Sequence, residues 1–337
     1  MIRPEHLLHP TPNGLYCPPG DFYVDPVRPV GRALVTHGHS DHARSGHSHV
    51  LATRQTLDIM AIRYGDDFCD SAQAAEFGET IHRNGVSVCF HPAGHVLGSA
   101  QIEIEYQATR IVVSGDYKRG ADPTCAAFEP VSCDVFITEA TFGLPVFHHP
   151  DPQVEILKLI TSLNQFPERS HLVGAYALGK AQRVISLIRR SGYDKPIYIH
   201  GALTKLCDYY RNEGIDLGDL RPATAEDTKS GAFKGAVVVG PPSAFNDRWA
   251  RRFEDPLSIF ASGWMMVRQR AKQRGVELPL VISDHCDWPE LISTITDIAP
   301  QQVWVTHGRE EALVRWCELA GIKARPLHLV GYEDEGD

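Results

Sequence analysis

Short apolar runs that stop at polar, chemistry-bearing residues recur along the chain. Ala33-Leu34-Val35 gives way to Thr36-His37-Gly38-His39-Ser40-Asp41-His42, and Val86-Ser87-Val88-Cys89-Phe90 leads to a Gly-rich turn holding His95. Arg110-Ile111-Val112-Val113-Ser114 ends in Gly115-Asp116, and Cys133-Asp134-Val135-Phe136-Ile137-Thr138 ends at Glu139. Late in the chain, Leu280-Val281-Ile282-Ser283 runs into Asp284-His285, and Gln302-Val303-Trp304-Val305-Thr306 into His307-Gly308. Apolar runs of this length bounded by turn residues read as strands, as does the alternating stretch Gln101–Tyr106. The pattern therefore predicts sheets with polar groups gathered at strand ends. Phe22-Tyr23-Val24 is a further short strand, stopping at Asp25 before a proline. Leu57, Met60, Ala61 and Tyr64 fall at helical spacing and predict an amphipathic helix over 53–64.

After Gly143 the pattern changes. Residues 146–279 alternate helix (151–163, 179–191) with strand (171–176, 196–199, 235–240, 257–260), which predicts a parallel α/β layer inserted into the first domain. A length of 337 residues suits two domains, or one domain carrying a large insertion. No apolar run is long enough to span a bilayer and no signal-peptide pattern opens the chain, so a cytoplasmic protein without a membrane partner is expected. Eight cysteines without a Cys-x-x-Cys pair argue against a zinc ribbon or a disulfide framework, and are expected reduced and mostly buried. The tail from Gly331 to Asp337 is acidic and expected to fray.

A net charge of −9 is at first sight wrong for a nucleic-acid binder, because phosphate affinity comes from Lys and Arg releasing counterions. The average conceals an asymmetry. Residues 144–279 carry 19 Lys and Arg against 14 Asp and Glu, and the remainder 14 against 28. Bound metal would neutralise part of that flanking acid.

The chemistry centres on His37-x-His39-x-Asp41-His42. Four potential ligands in six positions on a turn after a strand suit a borderline divalent cation such as zinc or manganese, and read as half of a two-metal site. His95 stands at a second strand end, Asp116 is placed to bridge two cations, and His285 and His307 complete the pattern. Asp25 reads equally as support for a ligand histidine or as turn chemistry. Gly179-Lys180-Ala181-Gln182-Arg183 opens a helix whose N–H groups, with Lys180 and Arg183, could hold a phosphate; a solvated basic face is the competing and slightly favoured reading. The basic runs 248–253, with Arg248 and Arg251, and 268–274 fit a backbone-tracking groove with stacking positions, or plain wet surface.

The order His-x-His-x-Asp-His, His95, Asp116, Glu139, insertion, His285, His307 resembles the metallo-β-lactamase fold nucleases of the β-CASP group. Ala93-Gly94-His95-Val96-Leu97-Gly98-Ser99, Glu139-Ala140-Thr141-Phe142-Gly143 and Ala177-Leu178-Gly179-Lys180-Ala181-Gln182 look like that group's successive signatures. Gly14–Phe22 and Ser283-Asp284-His285-Cys286-Asp287-Trp288 look most like its bacterial ligase-associated DNA damage response exonucleases. The resemblance implies an α/β fold: a metallo-β-lactamase αββα sandwich formed by residues 1–145 and 280–337, with a β-CASP domain inserted at 146–279. It implies two divalent ions, zinc or manganese. His37, His39 and His95 would hold one, Asp41, His42 and His307 the other, and Asp116 would bridge them. Water between the metals would attack the scissile phosphorus. Glu139 would orient a histidine or assist proton traffic, His285 would contact the phosphate or protonate the leaving oxygen, and Asp25 would act as support.

The implied function is a DNA exonuclease in DNA repair, with a DNA ligase and a helicase as pathway partners. A histidine at position 307 is common in the group's RNA-processing members, so RNA stands as the alternative nucleic acid. A non-catalytic nucleic-acid-binding repair partner stands as the alternative from another class.

Overall fold

The structure is a computed structural model that describes residues 2–224 and 231–327; the acidic tail lies outside the described residues. The protein is a mixed α/β chain with three sheets, divided into two compact units, residues 1–148 with 285–337 and residues 149–284.

The first unit begins with the short helix α1 (Pro4–Leu7) and a six-stranded sheet paired in chain order. Its strands are β1 (His9–Thr11), β2 (Gly14–Cys17), β3 (Phe22–Val24), β4 (Arg32–Leu34), β5 (His47–Thr53) and β6 (Cys69–Ala75), antiparallel through β3 and parallel after it. Helix α2 (Arg54–Tyr64) follows β5, its start capped by Thr53, whose hydroxyl accepts from Thr56 N. A second sheet starts with β7 (Thr80–Arg83), β8 (Val86–Pro92), β9 (Ala100–Tyr106), β10 (Thr109–Val113) and β11 (Val135–Ala140).

The second unit is a parallel sheet of β12 (His171–Gly174), β13 (Ile197–Ile199), β14 (Leu220–Pro222), β15 (Val237–Gly240), β16 (Leu257–Ala261) and β17 (Leu278–Leu280), in the order β14-β13-β15-β12-β16-β17. Its α-helices include α3 (Pro152–Gln165), α4 (Lys180–Arg190), α5 (Thr204–Asn212) and α6 (Arg268–Gln273).

Back in the first unit, helix α7 (Trp288–Ile298) precedes β18 (Gln302–Gly308), and α8 (Glu310–Leu319) precedes β19 (Lys323–Pro326). These strands complete the second sheet in the order β19-β18-β11-β10-β9-β8-β7.

Period-two alternation decides which side chains meet. Phe22, Val24 and Leu34 of the first sheet share one apolar cluster with Phe90, Ile102, Ile111, Ile137 and Trp304 of the second. Their strand neighbours point the other way. Val112, Phe136, Val303 and Val305 pack under Leu291, Ile295 and Leu313 of α7 and α8, while Ala33, Val35, Val50 and Ala52 pack under Leu57 and Met60 of α2. Burying each large apolar side chain contributes about 1.5–3 kcal/mol, so the strand ends project from a stiff base.

Two elements depart from expectation. Glu139 does not follow β11 but lies within it, at a register shift against β18 between Thr138 and Ala140; such a bulge re-aims a side chain. The strand expected over 280–283 ends at Leu280, because Val281 N donates to Glu155 Oε2 and Ile282 O accepts from Lys180 Nζ, side chains that take the place of a ladder. His285 therefore sits in a loop ahead of α7 rather than at a strand end. The eight cysteines are unbridged and five are buried. Among the described residues no helix is long and apolar enough to cross a membrane.

Candidate metal centre

Four segments of the first unit converge. The turn after β4 supplies His37, His39, Asp41 and His42; the turn between β8 and β9 supplies His95; the loop after β10 supplies Asp116; the end of β18 supplies His307. Ligand atoms of His37, His39, His95 and Asp116 lie within 4.8 Å of one another, and so do those of His42, Asp116 and His307. His39 Nδ1 is 3.1 Å from His37 Nε2 and 3.0 Å from His95 Nε2. Asp116 Oδ2 is 3.4 Å from His37 Nε2, 3.5 Å from His42 Nε2 and 3.8 Å from His95 Nε2. Donors about 2.0–2.1 Å from a tetrahedral ion stand roughly 3.3 Å apart, so these spacings fit ligands around small cations with Asp116 common to both groups.

Asp41 has its Oδ2 at 3.5 Å from His42 Nε2, and its Oδ1 is sealed from solvent with no hydrogen-bond partner among the described residues. A buried carboxylate oxygen without a donor is costly unless a cation meets it. The electrostatics point the same way. Burial disfavours a charged His42, yet Asp116, Asp41 and Asp25 together raise its imidazole well above the usual value. Burial likewise opposes ionised Asp116, but His42 and His285 hold its carboxyl well below the usual range. Burial, reinforced by His42, pushes His37 well below its ordinary value and lowers His307 too. The centre thus draws in positive charge while keeping His37 and His307 neutral, the form in which imidazole binds a metal.

Supporting contacts fix the ligands. Asp25 Oδ2 is 2.8 Å from His42 Nδ1, and its Oδ1 accepts from Thr36 N at 2.8 Å. Glu139, 1% exposed, accepts from Tyr117 N and from the Thr141 hydroxyl, and its Oε2 lies 2.9 Å from His285 Nδ1. One carboxylate therefore ties the loop of Asp116 to His285, and Asp116, Glu139 and His285 again offer ligand atoms within 4.8 Å. Thr36, next to His37, and Thr141, two positions after Glu139, stand inside the quoted motifs without an assigned role, because hydroxyls carry no signal of their own in such a pattern.

The basic residues of the second unit divide. Lys180 and Arg183 are 4% and 2% exposed, and Lys180 Nζ is 2.5 Å from Asp284 Oδ1. At the start of α4, Lys180 N, Ala181 N and Arg183 N donate to Leu178, Tyr176 and Gly179 carbonyls. Both expected readings, the slightly favoured solvated basic face and the phosphate cradle, are corrected: the two side chains are buried, these three N–H groups are occupied, and the Lys180 ammonium is committed to Asp284. Arg248 and Arg251, by contrast, are exposed beside Trp249, over whose ring Arg252 lies at 5.5 Å. In the 268–274 run, Arg270 lies 4.0 Å over Trp264.

No family model matches the chain. It is similar to "Probable DNA ligase" of Opitutus terrae, 28% identical over 321 residues, which cover 93% of this chain and 30% of that protein. It is similar to "Cleavage and polyadenylation specificity factor subunit 3" of Dictyostelium discoideum, 28% identical over 299 residues, 76% of this chain and 38% of that one. An "RNase J-like protein" of Methanocaldococcus jannaschii is 28% identical over 202 residues, 52% of this chain and 48% of that one. The chain spans less than half the length of each of these relatives. Their kinship bears out the resemblance drawn from the motifs.

Proposed function

We propose that this chain, a relative of the β-CASP group of metallo-β-lactamase fold nucleases, is a two-metal phosphodiesterase that degrades DNA from an end in DNA repair. The observation that carries the reading is the convergence of buried ligand atoms on Asp116. Residues 1–145 and 280–337 would form the αββα sandwich and 146–279 the β-CASP insertion, a reading supported by the division of the chain into two compact units.

In this reading His37, His39 and His95 would hold one cation and Asp41, His42 and His307 the other, with Asp116 available to both. When bound, the cations, zinc or manganese, supply a water of lowered pKa and Lewis acidity toward a phosphoryl oxygen. The chain does the rest. Asp25 orients His42, and Glu139 holds His285 by its Nδ1, so that a proton or hydrogen bond can be offered from Nε2 to a phosphate or leaving oxygen. Arg248 and Arg251 contribute contacts to the polyanion, supported by their exposure and the neighbouring tryptophan.

DNA is favoured on the likeness to ligase-associated exonucleases, with a ligase and a helicase as pathway partners. RNA is the second reading, favoured by the name of the RNase J-like relative and by His307. The test is cleavage of matched end-labelled DNA and RNA oligonucleotides across a metal series. Asp116→Ala and His42→Ala should abolish cleavage of single-stranded DNA with the fold intact by circular dichroism. Full activity in either variant overturns the metal mechanism, and a strong preference for RNA overturns the substrate.

A further inference from the structure

We propose that Thr36 is a positioning residue that sets the tautomer of His37, so that Asp25 orients histidines in both ligand groups, His37 through Thr36 and His42 directly. The inference rests on the metal-centre reading and concerns how the chain prepares its ligands.

Asp25 is buried and held with φ at 44°, a left-handed conformation costing a non-glycine residue about 1 kcal/mol or more. Its N–H donates to Leu34 O at 2.9 Å, which keeps the carboxylate under the turn after β4. Three groups meet that carboxylate. Thr36 N reaches Oδ1 at 2.8 Å, and the Thr36 hydroxyl and His42 Nδ1 reach Oδ2 at 2.7 and 2.8 Å.

The hydroxyl has one proton, and a carboxylate can only accept, so Thr36 spends its proton on Asp25. Thr36 Oγ1 is also 3.0 Å from His37 Nδ1. With its proton committed, the hydroxyl can only accept there, so His37 must carry its hydrogen on Nδ1. Nε2 is then left bare, and Nε2 is the atom that faces Asp116 Oδ2 at 3.4 Å and His39 Nδ1 at 3.1 Å. This is the reverse of the Nε2–H form that predominates for free histidine. The same carboxylate fixes His42 directly, accepting from Nδ1–H and leaving Nε2 toward Asp116 at 3.5 Å. His37 and His42 fall in different ligand groups, so one buried acid serves both.

Packing keeps the hydroxyl in place. Thr36 is fully buried, and its O accepts from Ala100 N at 2.8 Å. The backbone at Gly115 passes so close that a Cβ there would come within 2.8 Å of both Thr36 Cβ and Thr36 Oγ1. Glycine at 115 leaves the space that the Thr36 side chain occupies.

The test compares wild type, Thr36→Ser, which keeps the relay, and Thr36→Val, which keeps the shape and removes it. In long-range proton–nitrogen NMR spectra of the metal-free proteins, His37 should be the Nδ1–H tautomer in wild type and Ser, and shift toward Nε2–H in Val. Zinc affinity by competition with a chelator should fall roughly 10–100-fold in Val, as for loss of other groups that orient metal ligands, and return to within a few-fold in Ser. A folded Val variant with the wild-type tautomer and affinity overturns the inference, and so does a Ser variant as impaired as Val. Should Val not fold, Thr36→Ala gives the same comparison. A wild type that binds no zinc or manganese while showing the Nδ1–H tautomer would defeat the metal reading and leave the relay standing.

Discussion

His307 is a histidine in a place that suits glycine. Its φ of 57° puts a branched ring in the left-handed region at the end of β18, and Gly308 beside it is at 83°. A Cβ on Gly308 would stand 2.3 Å from Ala140 O, the carbonyl that also accepts from Arg309 N at 3.0 Å and Gly143 N at 2.9 Å. Ala140 follows Glu139 at the bulge of β11, so one crowded backbone crossing aims both His307 and Glu139 into the centre. Strain of this kind persists only where packing over-determines it. Gly308→Ala should therefore destabilise the protein by about 1–3 kcal/mol and lower its metal content. Urea denaturation and metal analysis check this; a variant of wild-type stability and metal content would show that the crossing does not hold His307.

At the level of elements, the strands were legible because period and turn residues agree, as in β9 and β10. The ligand-bearing turns were legible because imidazole and carboxylate seldom cluster behind strands without a use. What escaped was decided by partners distant in sequence. Helix α2 read only as an amphipathic helix, yet the Thr53 and Thr56 hydroxyls donate to Gly98 O at 2.6 and 3.1 Å, and Arg63 reaches Gly38 O at 2.6 Å. It braces the turn of His37 and the turn of His95 at once, through contacts that no periodicity encodes. Lys180 read as a phosphate ligand or as part of a solvated basic face for the same reason in reverse, since Asp284 lies 104 positions away. His47, which follows no apolar run and so does not read as a ligand, is buried on β5, where its Nδ1 accepts from Val30 N at 3.2 Å.

Strand β12 carries a prediction of this hidden kind. His171 is fully buried, with Nε2 2.9 Å from the Ser162 hydroxyl and Nδ1 3.1 Å from Arg169 O. Burial lowers its imidazole below the ordinary 6.5. The unfolded chain takes up a proton near that value and the folded chain only at lower pH. Stability from this group is therefore complete above about pH 6.5 and declines as pH falls through it toward the folded value. His171→Gln should be less stable than wild type at pH 7.5 but lose less on acidification to pH 5, as read by thermal unfolding. Parallel losses in the two proteins would show that His171 does not set the acid limit.

For the molecule as a whole, charge separates the two kinds of work that the sequence assigns. The flanks, which hold the carboxylates of the candidate metal centre, are acidic, and residues 144–279 are basic. The total of −9 hides both. Within the basic segment the structure sorts the cations further, since a buried ammonium already paired with a carboxylate releases no counterions when a nucleic acid arrives. Each exposed phosphate contact should contribute about 0.7 to the slope of log affinity against log salt for a single strand. Replacing Arg248 and Arg251 by alanine should flatten that slope by about that amount per contact and weaken binding about equally across sequences. Lys180→Met should leave the slope unchanged and cost about 3–5 kcal/mol of stability instead, because it removes the buried ammonium paired with Asp284. Fluorescence anisotropy of single-stranded DNA over a salt series, with denaturation of the same variants, distinguishes the two. A slope that falls in Lys180→Met but not in the double arginine variant would reverse the division, placing the polyanion at the start of α4 rather than along the exposed arginines.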